Sequence, residues 1–469
     1  MSMTMTGVPM LSRIKPAFQA RRELLAACVL LCSANASADQ GFAANLDRIL
    51  REHQLVRMVD ADVETAREQV NVEKAAYYPK LTVNAGAGRR NTHREQGTDG
   101  HYDPVDASVG LNQLITDFGA TSSRVQAAKV VLSKEEAERE LQVQNLILAA
   151  IEAQLQVIQA ERTQSFARQS EQNIKQQTSL ENARMDAGRG YATDVLQAKS
   201  QLAGAEARRV MADSRMRESL NRYRVIFGES AVTPDTLEAL AIPSDRLPAS
   251  EAAIVESVRQ QNPDLLAAIK RAEVTLAERD AARSKELMPR LSFRLSQEHY
   301  EDYDDTPGFR NDTKAMVNFD WQFDLGMRAN YVTRAADQAV ASAQEKADYV
   351  RIQAMEEARN AWVSWETSRE RADHLRNQVR IAESFLELAR KEREMGRRSL
   401  LDILNGEVGL INAQSDATAA GIDEIIAAYR LLRATGQLNP GIFRQPGIIV
   451  PAARVLPVAS LAVGQPSSN

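Results

Sequence analysis

The sequence predicts a mainly helical protein with a small β part, built as a tandem repeat of long coiled-coil helices. Three observations lead to this fold class. The chain is 44% apolar but only 5% aromatic, with 26% charged residues, and this composition is typical of long helices. Sequence landmarks recur in one order about 208 residues apart. Residues 118–187 contain no proline, which permits one helix of about 70 residues.

The first 38 residues have the pattern of a secretory signal peptide. A basic segment, 13–22, precedes a short apolar segment, 24–31, and an Ala-Ser-Ala cleavage site. A buried N-terminal helix is the less favoured alternative. Both cysteines, Cys28 and Cys32, lie in this segment, so the mature chain has no thiol chemistry. A lipoprotein box is weakly suggested, but the apolar stretch mostly follows Cys28, which argues against lipidation.

The remainder consists of two copies of one unit. The matching landmarks are Tyr-Pro-Lys-Leu 78–81 with Met-Pro-Arg-Leu 288–291, Asp-Phe-Gly 117–119 with Asp-Leu-Gly 324–326, and the glycine turns at 188–190 and 396–398. We therefore divide the chain into a signal peptide (1–38), a first repeat (39–228), a linker (229–248), a second repeat (249–438) and a tail (439–469). The tail is rich in proline, glycine and serine without periodicity, so we expect it to be disordered.

Each repeat is predicted to contain a helix, two strands, a long helix and a second shorter helix. The predicted helices are 42–78, 118–187 and 192–227 in the first repeat, and 249–288, 327–395 and 399–435 in the second. A helix of about 70 residues is about 105 Å long, and two of about 37 residues placed end to end are about 110 Å long. Each long helix can therefore lie beside a rod made of two stacked short ones, with the glycine turns at one extremity and the strands at the other.

Four segments alternate between apolar and polar residues, as strands do. They are 81–88, 105–115, 291–297 and 313–325. Such segments fit transmembrane β-strands, although any one alone also fits a half-buried soluble hairpin. Four strands cannot close a barrel, and an open sheet edge cannot lie in lipid. The strands must therefore be shared between chains, and three chains would supply twelve. The polar connections, 89–104 and 298–312, are expected outside the cell.

The order of these parts resembles the TolC-like outer-membrane channel family, type I secretion branch, over nearly the whole mature chain. The doubled Pro-x-Leu and glycine-turn motifs carry the resemblance, because single copies of them are weak. The resemblance implies a homotrimer with a 12-stranded barrel in the outer membrane and a long periplasmic α-barrel. It also implies two partners, a periplasmic adaptor protein and an inner-membrane transporter of the ABC or the proton-driven RND type.

The resemblance further implies a periplasmic gate at the glycine turns. Arg398 matches the family's gate arginine, and Thr193 and Asp194 match its closing partners. Asp402 matches an acidic ring at the entrance, whose usual second aspartate is Asn405 here, and Arg393 stands in place of the usual gate tyrosine. A simpler interpretation remains open, because Ser399 and Asp402 also fit a helix-capping pattern and Asp194 suits a helix N-terminus.

Three classes of function follow from these observations. The favoured one is a passive export conduit, most simply for type I protein secretion, with efflux of drugs or other small molecules as the alternative. A periplasmic coiled-coil adaptor or structural protein would have one helical hairpin and no membrane strands. The sequence offers no nucleophile, acid–base pair, metal spacing or phosphate loop, so we expect no enzyme activity, cofactor or metal. A net charge of −5 gives no reason to expect nucleic acid as a partner.

Overall fold

The computed structural model describes residues 41–93, 100–229, 234, 237–302 and 308–451. The predicted signal peptide and residues 452–469 of the predicted tail lie outside these ranges. The helices are α1 (Phe42–Glu52), α2 (Gln54–Ala75), α3 (Ala120–Asp186), α4 (Ala192–Phe227), α5 (Glu251–Gln261), α6 (Pro263–Leu287), α7 (Arg328–Glu394) and α8 (Leu400–Ala434). The strands are β1 (Lys80–Ala87), β2 (Arg90–Thr92), β3 (Gly100–Tyr102), β4 (Val105–Thr116), β5 (Glu238–Leu240), β6 (Arg290–Glu301), β7 (Phe309–Asp320) and β8 (Ile449–Pro451).

The first helix of each repeat is broken, and the single helices predicted at 42–78 and 249–288 were wrong in this respect. His53 has an extended backbone between α1 and α2, and its ring Nδ1 accepts a hydrogen bond from the Leu55 amide at 3.1 Å. Asn262 has the same role between α5 and α6, where Pro263 occupies the first helical position. Both breaks are N-caps, because each side chain satisfies an amide that the new helix leaves unpaired.

The two long helices, α3 and α7, each contain 67 residues and organise the rest. In the half of the molecule near the sheet, neighbouring helices follow the order α2, α3, α6, α7. In the other half the order is α4, α3, α8, α7. The rods of stacked short helices are therefore α2 with α4 and α6 with α8, which confirms the predicted arrangement. Among the described helices, none combines the length and the apolar character needed to cross a membrane.

The joint between α8 and α6 is tightly packed. Asn262 is completely buried; its Oδ1 accepts from the Leu265 amide and its Nδ2 donates to the Ala434 carbonyl, both at 2.8 Å. Gly436 has φ +74°, and a Cβ there would lie 1.9 Å from the Gln261 carbonyl oxygen. Only glycine permits this approach, so the end of α8 and the start of α6 are held together by backbone contact as well as by the asparagine.

The main sheet has the antiparallel order β1-β4-β6-β7, with β1 and β7 at its edges. Strand β4 joins the repeats by pairing Asn112 with Arg294 of β6, and its register shifts between Leu114 and Thr116. The predicted fourth strand, 313–325, is displaced towards the hairpin. It ends at Asp320 and begins at Phe309, because pairing with β6 continues into the segment expected to be a loop.

The main apolar core lies where the middle of α3 meets α1 and the C-terminal half of α8. Tyr429 is fully buried there, and its hydroxyl donates to the Ala241 carbonyl at 2.9 Å. The segment after α8 contributes Ile442 and Phe443 to this core, and β8 pairs with β5. The expectation of disorder throughout 439–469 was therefore wrong for residues 439–451. Ile442 and Phe443 are buried in the main core, and β8 forms a two-stranded ribbon with β5 of the linker.

Candidate functional site

The tip of the molecule, opposite the sheet, consists of two turns with the same backbone. Gly188 has φ +71° and Gly396 has φ +73°. In the first turn the Arg189 amide donates to the Arg184 carbonyl, and in the second the Arg397 amide donates to the Glu392 carbonyl, both at 2.9 Å. This is the Schellman arrangement, in which a left-handed glycine ends a helix and satisfies its last carbonyls. It reverses α3 into α4 and α7 into α8.

Within the described residues, the functional candidates of the first turn form no ion pair and no side-chain hydrogen bond. Tyr191 precedes α4 without capping it and is 76% exposed. Thr193 is exposed, and Asp194 is in the first helical turn of α4. Within the described part of one chain Asp194 forms no ion pair, so its carboxylate remains available to a group from elsewhere.

The second turn holds its candidates firmly. Arg398 forms ion pairs with Glu392 at 3.2 Å and Asp402 at 3.5 Å, and its guanidinium lies 5.2 Å from the centre of the Phe385 ring. Ser399 caps α8 by accepting the Asp402 amide at 3.2 Å. The structure therefore brings Arg398 to Asp402, and within one chain it does not bring Arg398 to Asp194.

Asp402 and Asn405 line an open groove between α7 and α8. The groove has a volume of about 410 Å³, and Phe385, Gly406 and Gly409 form part of its wall. Asp402 is half-exposed and Asn405 is exposed, so both are accessible to solvent at the tip. A carboxylate in this place can attract cations without being desolvated.

Two buried carboxylates at the tip were not predicted from the sequence. Glu181 on α3 is 3% exposed and Glu407 on α8 is 5% exposed. The guanidinium of Arg393 reaches across from α7 to Glu181 at 2.6 Å and also donates to the Arg398 carbonyl at 3.3 Å. The pair connects the second repeat to the first. A buried carboxylate requires such a partner, because removing it from water without compensation costs several kcal/mol.

Glu407 is also held by an arginine of α7, and this arginine lies one helical turn before Arg393. Arg390 of α7 donates to one of its oxygens, and Asn173 of α3 donates to the other at 3.2 Å. A signal for both carboxylates was present, because each occupies an apolar helical stripe. Glu181 follows Ile174 at a spacing of seven, and Glu407 follows Leu404 at a spacing of three.

The sheet has one apolar and one polar face. On the apolar face a row running across the four strands contains Leu81, Leu111, Leu295 and Ala315. Large aromatic side chains lie exposed where the sheet meets the helices, among them Tyr78, Trp321 and Phe323. An exposed apolar band bordered by aromatic residues is the surface that a β-sheet presents to a membrane.

Comparison with known proteins agrees with this architecture. The family described as outer membrane efflux protein matches residues 45–229 and 254–437, which is one match in each repeat. The outer membrane efflux protein BepC of Brucella suis is 25% identical over 434 residues, covering 90% of this chain and 92% of its own. The outer membrane protein TolC of Vibrio cholerae is 24% identical over 397 residues, covering 81% and 87%.

A solved structure shows the same fold. The CmeC outer membrane channel of Campylobacter jejuni superposes with a TM-score of 0.75 at 16% identity, covering 85% of this chain and 86% of its own. The double family match, the length of the shared regions and the fold agree with one another. The chain therefore belongs to the outer membrane efflux protein family.

Proposed function

We propose that three copies of this chain form an outer-membrane channel whose sheets close into one 12-stranded barrel. The observation that supports this proposal most directly is the four-stranded sheet with an exposed apolar face. In the described residues β1 pairs only with β4, and β7 pairs only with β6, so both edges of the sheet are open. Open edges are not tolerated in hydrocarbon, whereas the β7 edge of one chain can pair with the β1 edge of the next.

The helices support the same closure. The rod of α2 and α4 lies at one side of the helical layer and α7 lies at the other. Both carry exposed apolar side chains along their length. Those on α7 are Tyr349, Ile352, Val363, Ile381 and Leu388, and those on the rod are Met58, Val72, Leu196, Val210 and Val225. Burying each set against the next chain would produce a tube of helices that extends from the barrel into the periplasm.

The channel would complete a tripartite export machine with a periplasmic adaptor and an inner-membrane transporter of the ABC or RND type. Within that role we propose type I protein secretion, which the absence of a convincing lipoprotein box supports. Efflux of small molecules is the second candidate, and the similarity to BepC, an outer membrane efflux protein, favours it. The protein itself would be a passive conduit and would not hydrolyse ATP.

The tip would be the periplasmic gate. In the tip half α4 and α7 are the outer helices of the layer, so the α7–α8 turn of one chain can approach the α4 turn of its neighbour. We infer that Arg398 closes the entrance by pairing with Thr193 and Asp194 of the partner subunit. Asp402, with Asn405 beside it, would form the ring that gives the entrance its preference for cations.

Assembly and role can be tested separately. Crosslinking and mass measurement in detergent should give a trimer that conducts ions in planar bilayers, whereas a monomer with a complete barrel would overturn the assembly. Deleting the gene should abolish export while leaving the ATPase activity of the partner transporter intact. Loss of a secreted protein with unchanged drug sensitivity would support type I secretion, and the reverse result would support efflux.

A further inference from the structure

One row of the sheet carries two cations per chain on its polar face. The register places Lys80 of β1 opposite Asn112 of β4, Asn112 opposite Arg294 of β6, and Arg294 opposite Met316 of β7. All four side chains therefore point to the same face in one row across the sheet, which we call the cationic row. It contains no acidic residue.

Within the described residues of one chain the two cations of this row form no ion pair. Neither Lys80 nor Arg294 lies within ion-pair distance of a carboxylate there, and both are exposed. Two other basic residues of this face are paired, since Lys314 pairs with Glu298 at 2.5 Å and Arg310 pairs with Asp312 at 3.2 Å. Arg290 forms no ion pair within the described residues, but it lies opposite Asp320 in the register.

In the trimeric barrel proposed above, the row would lie at the depth of the membrane and face the pore. The residues adjacent to it on the other face are Leu81, Leu111, Leu295 and Ala315, an uninterrupted apolar row. Since the apolar face contacts lipid, the cationic row faces the barrel interior. In the proposed trimer, on which this inference rests, the row becomes a ring of six cations from three chains.

We propose that this ring is an anion-binding site inside the transmembrane barrel. Guanidinium and ammonium groups bind carboxylate and phosphate through charge-assisted hydrogen bonds, and walls of low dielectric strengthen the field inside a narrow pore. The ring would bind anionic groups of the cargo after they pass the acidic tip. The ligands expected at this ring are molecules that carry several carboxylate or phosphate groups.

The nearest carboxylates on the polar face of the sheet are too distant along the strands to neutralise the ring at physiological salt. Glu298 on β6 and both Asp312 and Asp320 on β7 are each four residues along the strand from the row, which corresponds to about 13 Å. The Debye length at physiological ionic strength is about 8 Å. The amide of Asn112, which lies between the two cations, offers no charge.

The experiment is block of single-channel current in planar bilayers by myo-inositol hexakisphosphate added to the extracellular side. We expect reversible block of the wild-type trimer, weakening about tenfold or more in Arg294→Gln and further when Lys80→Gln is added, because each removes charge-assisted hydrogen bonds. Raising the salt concentration to 1 M should also weaken block, since it shortens the Debye length to about 3 Å.

Arg310→Gln is the matched control. It removes the same charge from the same face but about 20 Å further along the strands, so block should change little. Equal loss of block in Arg310→Gln and Arg294→Gln would overturn the ring in favour of overall pore charge. Block of equal strength in wild type and in the double variant would also overturn it, leaving the conduit role intact. A trimer that does not conduct would overturn both proposals.

Discussion

The two turns at the tip share their backbone and differ in their contacts. The glycine torsions and the capping hydrogen bonds agree closely, so duplication has preserved the reversal of the chain. The side chains have diverged. Where the second turn has Arg393, Arg398 and Ser399, the first has Met185, Gly190 and Tyr191. The second turn is bound to its own chain, and the first keeps an acid and an aromatic ring free for a neighbour.

In the gate proposed above, this difference predicts which contacts have to break before the entrance opens. A turn anchored by a buried ion pair has to break that pair before it can swing outward. The same pair also anchors the end of α3, because Glu181 lies near the first turn. Thr193 and Asp194 of the first turn form no ion pair within the described residues, so they can receive a contact from a neighbouring chain. Variants that remove contacts from only one turn therefore distinguish the anchoring of a turn within its own chain from its pairing with a neighbouring chain.

The largest effect is expected from Arg393→Leu. Removing one partner of a buried pair costs about 3 kcal/mol, at the lower end of the usual range because Arg184 still contacts Glu181 at 2.8 Å. The α7–α8 end would separate from α3, and single-channel conductance in planar bilayers should rise. Arg184→Leu is the control, since Arg184 is half-exposed and lies on the same helix as Glu181. Wild-type conductance in Arg393→Leu would exclude this pair from gating.

A smaller effect is expected from Arg398→Ser. An exposed ion pair contributes about 0.2–1 kcal/mol, and three symmetric copies together could favour a closed state by a few times that amount. Conductance should rise without loss of trimer stability. In a background of Asp194→Ala the increase should shrink, because the same contact is already absent. If conductance is unchanged by Arg398→Ser, the pairing across subunits is wrong and the capping interpretation of this turn remains.

Substitutions at the two N-cap positions, 191 and 399, should change the free energy of unfolding rather than the conductance. Ser399→Ala removes the hydrogen bond from the Asp402 amide and should lower the free energy of unfolding by about 1 kcal/mol. Tyr191→Ser introduces a capping side chain at the equivalent position and should stabilise the first turn by a similar amount. Chemical denaturation of the detergent-solubilised trimer measures both. Equal and unchanged midpoints would mean that neither cap contributes.

The smallest effect is expected on ion preference. Asp402→Ala removes one negative charge per chain at the entrance, so reversal potentials in a salt gradient should show weaker cation preference. Asn405→Asp adds one charge per chain in the same groove and should strengthen that preference. Shifts in the same direction for both variants would show that charge in the groove does not determine selectivity.

The repeats, the long helices and the four strands could be predicted because each rests on periodicity or on a doubled motif. The breaks at His53 and Asn262 could not, since both act by capping and leave the apolar pattern uninterrupted. The order of the tail could not be predicted either. Ile442 and Phe443 are held in place by packing into the core around Tyr429. The sequence near residues 442 and 443 does not indicate that contact.

The candidate site was predictable only in part. The glycine turns placed Asp194, Arg398 and Asp402 at the tip, because glycine marks the end of a helix. The pairing of Arg393 with Glu181 was missed, because the two residues are 212 positions apart and meet only when α3, α8 and α7 pack together. Likewise the cationic row depends on strand register, and alternation gives the face of a residue but not its partner.

The equal length of α3 and α7, 67 residues each, restricts how this protein can evolve. One residue inserted into either helix would advance its far end by about 1.5 Å and rotate it by about 100°. Arg393 would then no longer face Glu181, and one turn would protrude beyond the other. Changes of about seven or eleven residues keep nearly the same face towards the neighbours, because both are close to whole numbers of helical turns. A lineage can therefore lengthen or shorten its conduit only through matched insertions or deletions in both copies, and homologues that differ in one long helix should differ by the same number in the other.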